Sequence, residues 1–128
     1  MMRFVLVAAG GALGAVLRYA VSGWIYRWGS GAFPWGTLGV NLAGSLVIGL
    51  LWGFFEIGVV SQNMRLFLFM GILGAFTTFS TFSLESFTLL RENEYGLFLV
   101  NIAANVILGI ILVFTGYVSA REIITILR

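Results

Sequence analysis

Phe79 and Phe82 stand three residues apart in the run Gly71-Ile-Leu-Gly-Ala-Phe-Thr-Thr-Phe-Ser-Thr-Phe-Ser83, among the hydroxyls of Thr77, Thr78, Ser80, Thr81 and Ser83. A phenyl ring has an electronegative face and an electropositive edge. Rings turned edge-on can therefore replace part of the water around a small anion, and hydroxyl hydrogens offer the same anion ordinary donors. Packing is the other use of phenylalanine at this spacing. The hydroxyls around this pair make it more than a packing pattern. Gly71 and Gly74 precede the cluster, and the whole run lies inside a long apolar segment. Glycines and clustered hydroxyls at that depth point to backbone leaving the regular helix where it is shielded from lipid. A break across Gly74 to Thr78 frees main-chain carbonyls, and carbonyls at a broken membrane helix can hold a monovalent cation.

Amides supply further donors. Thr37, Asn41 and Ser45 recur every four residues, so they share one helix face. Asn101 and Asn105 make a second stripe of the same spacing. Two uses are open to each amide: a hydrogen bond that pairs helices, or a donor along a polar path. Two stripes in so small a bundle favour one shared path. Glu85 follows the hydroxyl cluster. An acid this near the membrane interior is a functional candidate, while the segment end at Arg91 is close enough for it to face water. Arg18 either extends to the interface along its aliphatic stem or adds positive potential at the mouth of an anion path.

These side chains need helices to hold them, and the composition says what kind. Of 128 residues, 60% are hydrophobic and 9% charged, against about 25% charged in an ordinary soluble domain. So little polar surface cannot cover a water-soluble globule, so the chain is an integral membrane protein. A crossing takes roughly 20 residues, so four crossings nearly consume the length and leave no room for a soluble domain. The net charge of +2 comes from scattered arginines and implies no nucleic-acid partner. Cysteine and histidine are absent. That removes disulfides, thiol nucleophiles, zinc and haem ligation and imidazole catalysis. No close pair of intramembrane acids remains, so an enzyme is not expected.

Four apolar segments cover about residues 4–26, 35–57, 65–90 and 95–119, the third broken near 74–78. The first is too long for a signal-peptide core and reads as a retained helix. Gly10-x-x-x-Gly14 and Gly49-x-x-x-Gly53 offer close helix approach. Trp24, Tyr26, Trp28 and Trp35 surround the first loop and mark one membrane face. The charged stretch from Arg121 to Arg128 reads as a short amphipathic tail. With an even number of crossings, Arg3, Arg65, Arg121 and Arg128 lie on one side and Arg18, Arg27 and Arg91 on the other. Four against three is almost no bias, and orientation needs one. Such a chain can insert both ways up and pair with an inverted copy, and closed two-fold dimers are the commonest oligomers.

The segments GGALGAVLRY at 10–19, GTLGVNLAGSLVIG at 36–49 and GILGAFTTFSTFSLES at 71–86 resemble the Fluc (CrcB) fluoride channels in order and spacing. The resemblance covers essentially the whole chain, and the third segment is its most specific part. It implies an antiparallel, dual-topology homodimer in the cell inner membrane, multi-pass and surrounded by lipid, that exports fluoride passively through two pathways and prevents fluoride toxicity. It implies that Phe79 and Phe82 line the pores with Asn41, and that Thr78, Ser80 and Thr81 belong to the polar lining or its support. Gly74 and Thr77 correspond to the break whose backbone carbonyls hold a central structural sodium ion. Arg18 and Glu85 match the helix-one arginine and the acid after the phenylalanines. Along helix four, Asn101 and Asn105 keep donors where some members carry tyrosine, histidine or serine, and Gly109 loses one. A dual-topology, small multidrug-type proton-coupled transporter is the competing reading. That chemistry places an acid inside the first helix, and none is there. A non-transporting assembly subunit is a third.

Overall fold

The 25-residue helix α1 spans Met2–Tyr26 and α2 spans Trp35–Glu56. The computed structural model describes residues 1–58 and 60–127, so Arg128 of the charge comparison lies outside the described residues. The third crossing covers Gln62–Arg91, in two pieces. The first, α3, covers residues 62–76 and contains a wide π-helical stretch at Leu66–Leu73. The second, α4, is Phe79–Arg91. The last helix, α5, runs over Tyr95–Ile126 and carries its own π-helical turn at Ala104–Leu108. It continues past Ser119, so residues 121–126 extend the helix where a separate amphipathic tail was expected. Among the described residues there is no strand, and four helices are long and apolar enough to cross a membrane. The protein is an all-α, multi-pass membrane protein whose third helix is broken.

Local chemistry sets the ends. Ser61 caps α3 by accepting the Met64 N–H at 3.3 Å. The tight turn after α4 is closed by Asn93, whose φ of 63° places it in the left-handed region. Asparagine tolerates that region. The Glu94 N–H bonds back to the Leu89 carbonyl at 2.9 Å and the Asn93 N–H to Leu90 at 3.2 Å, the paired pattern of a Schellman stop.

Two small-residue seams hold the bundle. Gly10 and Gly14 of α1 lie directly on the α3 backbone at Phe67, Gly71 and Ile72. Gly49 of α2 lies on the carbonyl of Val113, while Gly116 of α5 meets the backbone of Leu46 and Leu50. A Cβ at any of these four positions would meet main-chain atoms that cannot move aside. Both GxxxG patterns therefore serve close backbone approach. At one end of the bundle, Glu56 accepts from Trp52 Nε1 at 3.2 Å and from the Tyr117 hydroxyl at 2.8 Å, tying α2 to α5. The Arg65 guanidinium stacks over Phe55 at 4.5 Å, a cation–π contact.

Candidate ion-coordinating site

The break in the third crossing is two residues long. Gly74 to Phe76 stay helical, and Gly74 itself has φ −61°. Thr77 (φ −83°, ψ 159°) and Thr78 (φ −150°, ψ 118°) are extended. The expected break over 74–78 is thus narrower, and glycine freedom is not what makes it. Side chains do. Thr78 Oγ1 accepts the Thr81 N–H at 3.2 Å and caps α4. The Asn41 side chain meets both main-chain groups of Thr78. Its Oδ1 accepts the Thr78 N–H at 2.9 Å, and its Nδ2 donates to the Thr78 carbonyl at 3.2 Å.

This arrangement uncovers two carbonyls. In an unbroken helix the Gly74 carbonyl would accept the Thr78 N–H and the Thr77 carbonyl the Thr81 N–H. Asn41 takes the first donor and Thr78 Oγ1 the second. Among the described residues, neither carbonyl receives the N–H four residues on. Gly74 is exposed. The carbonyls of Gly74 and Thr77 are therefore oxygens of the kind that holds a monovalent hard cation, and their donor chemistry fits one.

From Asn41 a directional chain of amides crosses to α5 and back to α4. Because Asn41 Oδ1 must face the Thr78 N–H, its Nδ2 faces Asn105 Oδ1, at 2.9 Å. Asn105 Nδ2 in turn donates to Asn101 Oδ1 and to the Asn101 carbonyl, both at 3.0 Å. Asn101, fully buried, donates to Ser86 Oγ at 3.0 Å, and Ser86 donates to the Phe82 carbonyl at 2.8 Å. Each bond dictates the orientation of the next, so the relay has one polarity. The Asn105 amide also competes for a main-chain acceptor on α5, and a side chain inserted into the helical ladder widens or bends it. The π-helical turn begins at Ala104, beside that insertion.

The phenylalanines and amides meet at one cavity of about 370 Å³, whose lining includes Asn41, Ser45, Gly74, Thr77, Thr78, Phe79, Phe82 and Asn105. The two rings are 5.6 Å apart between centroids and inclined by 50°. Phe82 is 8% exposed and Phe79 is 79% exposed, so one ring is held by the bundle and the other stands clear of it. Ser83 donates to the Phe79 carbonyl at 2.9 Å. Ser80 lies 3.4 Å from Thr78 Oγ1, and Thr78 donates to Thr81 Oγ1 at 3.0 Å. Asn101 is not at the cavity; it sits behind Asn105 and orients it.

Arg18 lies apart, in a neighbouring cavity of about 300 Å³ with Tyr19, Ser22, Thr37, Thr78 and Thr81. Glu85 Oε1 accepts from Thr37 at 2.8 Å and Tyr26 at 3.0 Å, while its Oε2 is buried and has no partner among the described residues. Glu85 thereby fastens α4 to the ends of α1 and α2. Sequence reasoning missed Ser86. Its position four after Phe82 is a signal for a hydroxyl on that face, but its partner Asn101 lies 15 residues away.

Residues 5–117 match the family described as CrcB-like protein, Camphor Resistance (CrcB). A protein of Parabacteroides distasonis is 44% identical over 128 residues, covering all of both chains. One of Magnetococcus marinus is 45% identical over 95% of this chain and all of its own. One of Thermus thermophilus is 45% identical over 90% of this chain and 91% of its own. Each of the three is named a fluoride-specific ion channel, FluC.

Proposed function

Since the chain belongs to the CrcB-like family, we propose that it is a fluoride-selective channel that lets fluoride leave the cell passively and so prevents its toxicity. The members it resembles are named as channels, and it is not an enzyme. The carrying observation is the one cavity that Asn41, Thr78, Asn105, Phe79 and Phe82 line together. Fluoride is small and strongly hydrated, so a path must replace its water with many short-range donors. Hydroxyls and ring edges do this without a cationic side chain in direct contact that would trap the ion.

The functional unit is an antiparallel homodimer in the cytoplasmic membrane, with two pores. The nearly even arginine distribution supports dual insertion. The exposure of Phe79 and Gly74 beside the cavity supports a second copy, embedded in lipid with the first, completing the wall. The uncovered carbonyls of Gly74 and Thr77 would hold the structural sodium between the two copies. Bound there, the ion supplies positive charge near the anion path. Asn41 and Thr78 keep those carbonyls uncovered by taking the competing N–H groups.

A fluoride electrode reads the test directly. Liposomes containing the purified protein should release fluoride rapidly and chloride hardly at all. Equal release of the two ions would sink the proposal.

A further inference from the structure

Ser45 lines the cavity one turn beyond Asn41, on the same face of α2. Other serines and threonines in these helices turn their hydroxyls onto the carbonyl four residues back. Thr77, Ser83, Ser86, Thr88, Thr115 and Thr125 all do so. Ser45 does not bond there. Its Oγ is directed toward α5, where Gly109 stands opposite. A Cβ built on Gly109 would lie 3.5 Å from Ser45 Oγ and would touch nothing else within 4 Å. The missing side chain at 109 leaves open space beside the hydroxyl of Ser45, a residue of the cavity lining. Asn41 and Asn105, by contrast, spend both amide hydrogens on protein acceptors. The strongest side-chain donors of the wall are thus committed, and Ser45 carries an uncommitted one.

We propose that Ser45 donates its hydroxyl hydrogen to the permeating anion, one helical turn from Asn41, and that Gly109 is the clearance that lets it do so. Ser45 is then a binding residue of the pathway, and the amide relay positions the wall around it. This inference rests on the fluoride-channel reading above. A hydroxyl suits a small, hard anion better than a large diffuse one, so Ser45 contributes to selectivity as well as rate.

The experiment compares wild type, Ser45→Ala, Gly109→Ser, and the double variant Ser45→Ala with Gly109→Ser, in liposome efflux with fluoride and chloride. Size-exclusion chromatography reports the oligomer in parallel. Ser45→Ala should slow fluoride efflux about tenfold, the effect of losing a hydrogen bond to a charged group, with the oligomer unchanged. The double variant should recover most of the rate, because a serine at 109 returns a hydroxyl to the same gap. A structural role for Ser45 would show no such rescue. Unaltered fluoride efflux in Ser45→Ala overturns the inference, as does a loss of oligomer with unaltered flux per oligomer. If wild type itself carries no fluoride, the channel reading fails first, and that outcome is distinct from failure of Ser45 alone.

Discussion

The side chain of Asn41 holds Thr78 by both main-chain groups, accepting its N–H at 2.9 Å and donating to its carbonyl at 3.2 Å. A single amide from α2 thus stands in for the helix that the third crossing gives up. Removing it should cost stability in proportion to the bonds lost. Interhelical polar contacts in membranes contribute about 0.6 kcal/mol on average and about 1.7 at most. Asn41 makes three such bonds, two to Thr78 and one to Asn105. Asn41→Ala should therefore lower stability by about 2 kcal/mol in detergent-denaturation titrations and abolish fluoride flux. Asn41→Asp keeps an acceptor for the Thr78 N–H but loses the donor for Asn105, so it should also fail to conduct. Full flux in Asn41→Asp would show that the bond to Asn105 is dispensable.

The two rings should separate stability from transport. Phe79 is mostly exposed and Phe82 buried. Phe79→Ile should reduce fluoride efflux strongly and leave the fold of each copy intact, since within one copy the ring stands mostly clear of the bundle. Phe82→Ile should reduce efflux as well and also cost about 1 kcal/mol of stability from the altered packing. Equal flux in wild type and Phe79→Ile would remove the exposed ring from the pathway.

Ser86 is the last side chain of the amide relay, and Asn101 behind it is fully buried. Ser86→Ala leaves an Asn101 N–H without its acceptor, a loss of about 1–3 kcal/mol. The double change Ser86→Ala with Asn101→Leu removes both polar partners and should cost less than the two single changes summed. Thermal unfolding of the four proteins measures the coupling. Strict additivity would mean that the two residues act independently.

The helix seams predict opposite outcomes for one kind of substitution. Gly49→Ala forces a methyl group onto the Val113 carbonyl and should destabilise the protein severely or prevent folding. Gly23, also in a membrane helix, has open space around it. Gly23→Ala should be neutral or slightly stabilising, by up to about 1 kcal/mol, the helix-propensity difference. Expression level and unfolding midpoint check both.

Replacing sodium with a large organic cation throughout purification should destabilise the dimer and lower fluoride flux, since the carbonyls of Gly74 and Thr77 have no N–H partner four residues on. A dimer and flux insensitive to that exchange would leave those carbonyls with no role in cation binding.

Most of the architecture was legible in local pattern. Four apolar runs separated by Gly31, Gly58 and Asn93 turns specify four crossings, because length and hydropathy alone decide what the bilayer accepts. The GxxxG seams were legible for the same reason, since glycine spacing places bare backbone on one face. The site was legible as residue types. Asn41, Thr78, Phe79, Phe82 and Asn105 could be named from the hydroxyl, amide and aromatic clusters, and they line one cavity.

Partnership was not legible, because it depends on which faces meet. Asn41 lies 37 residues from Thr78 and 64 from Asn105, and no local rule chooses those partners over lipid or another helix. The sequence marked a broken helix across Gly74 to Thr78. Tertiary structure narrowed the break to Thr77–Thr78, because that is where Asn41 reaches the backbone and takes the N–H that the Gly74 carbonyl would otherwise receive. It likewise separated Asn101 from the cavity, turned Glu85 onto Tyr26 and Thr37, and left the Ser45 hydroxyl facing the gap at Gly109. The sequence by itself determined that this is a four-helix membrane protein with an anion-type donor set. Packing alone decided which donors are spent on the protein and which are left without a protein acceptor, since a hydrogen bond is allocated only when its partner is in reach.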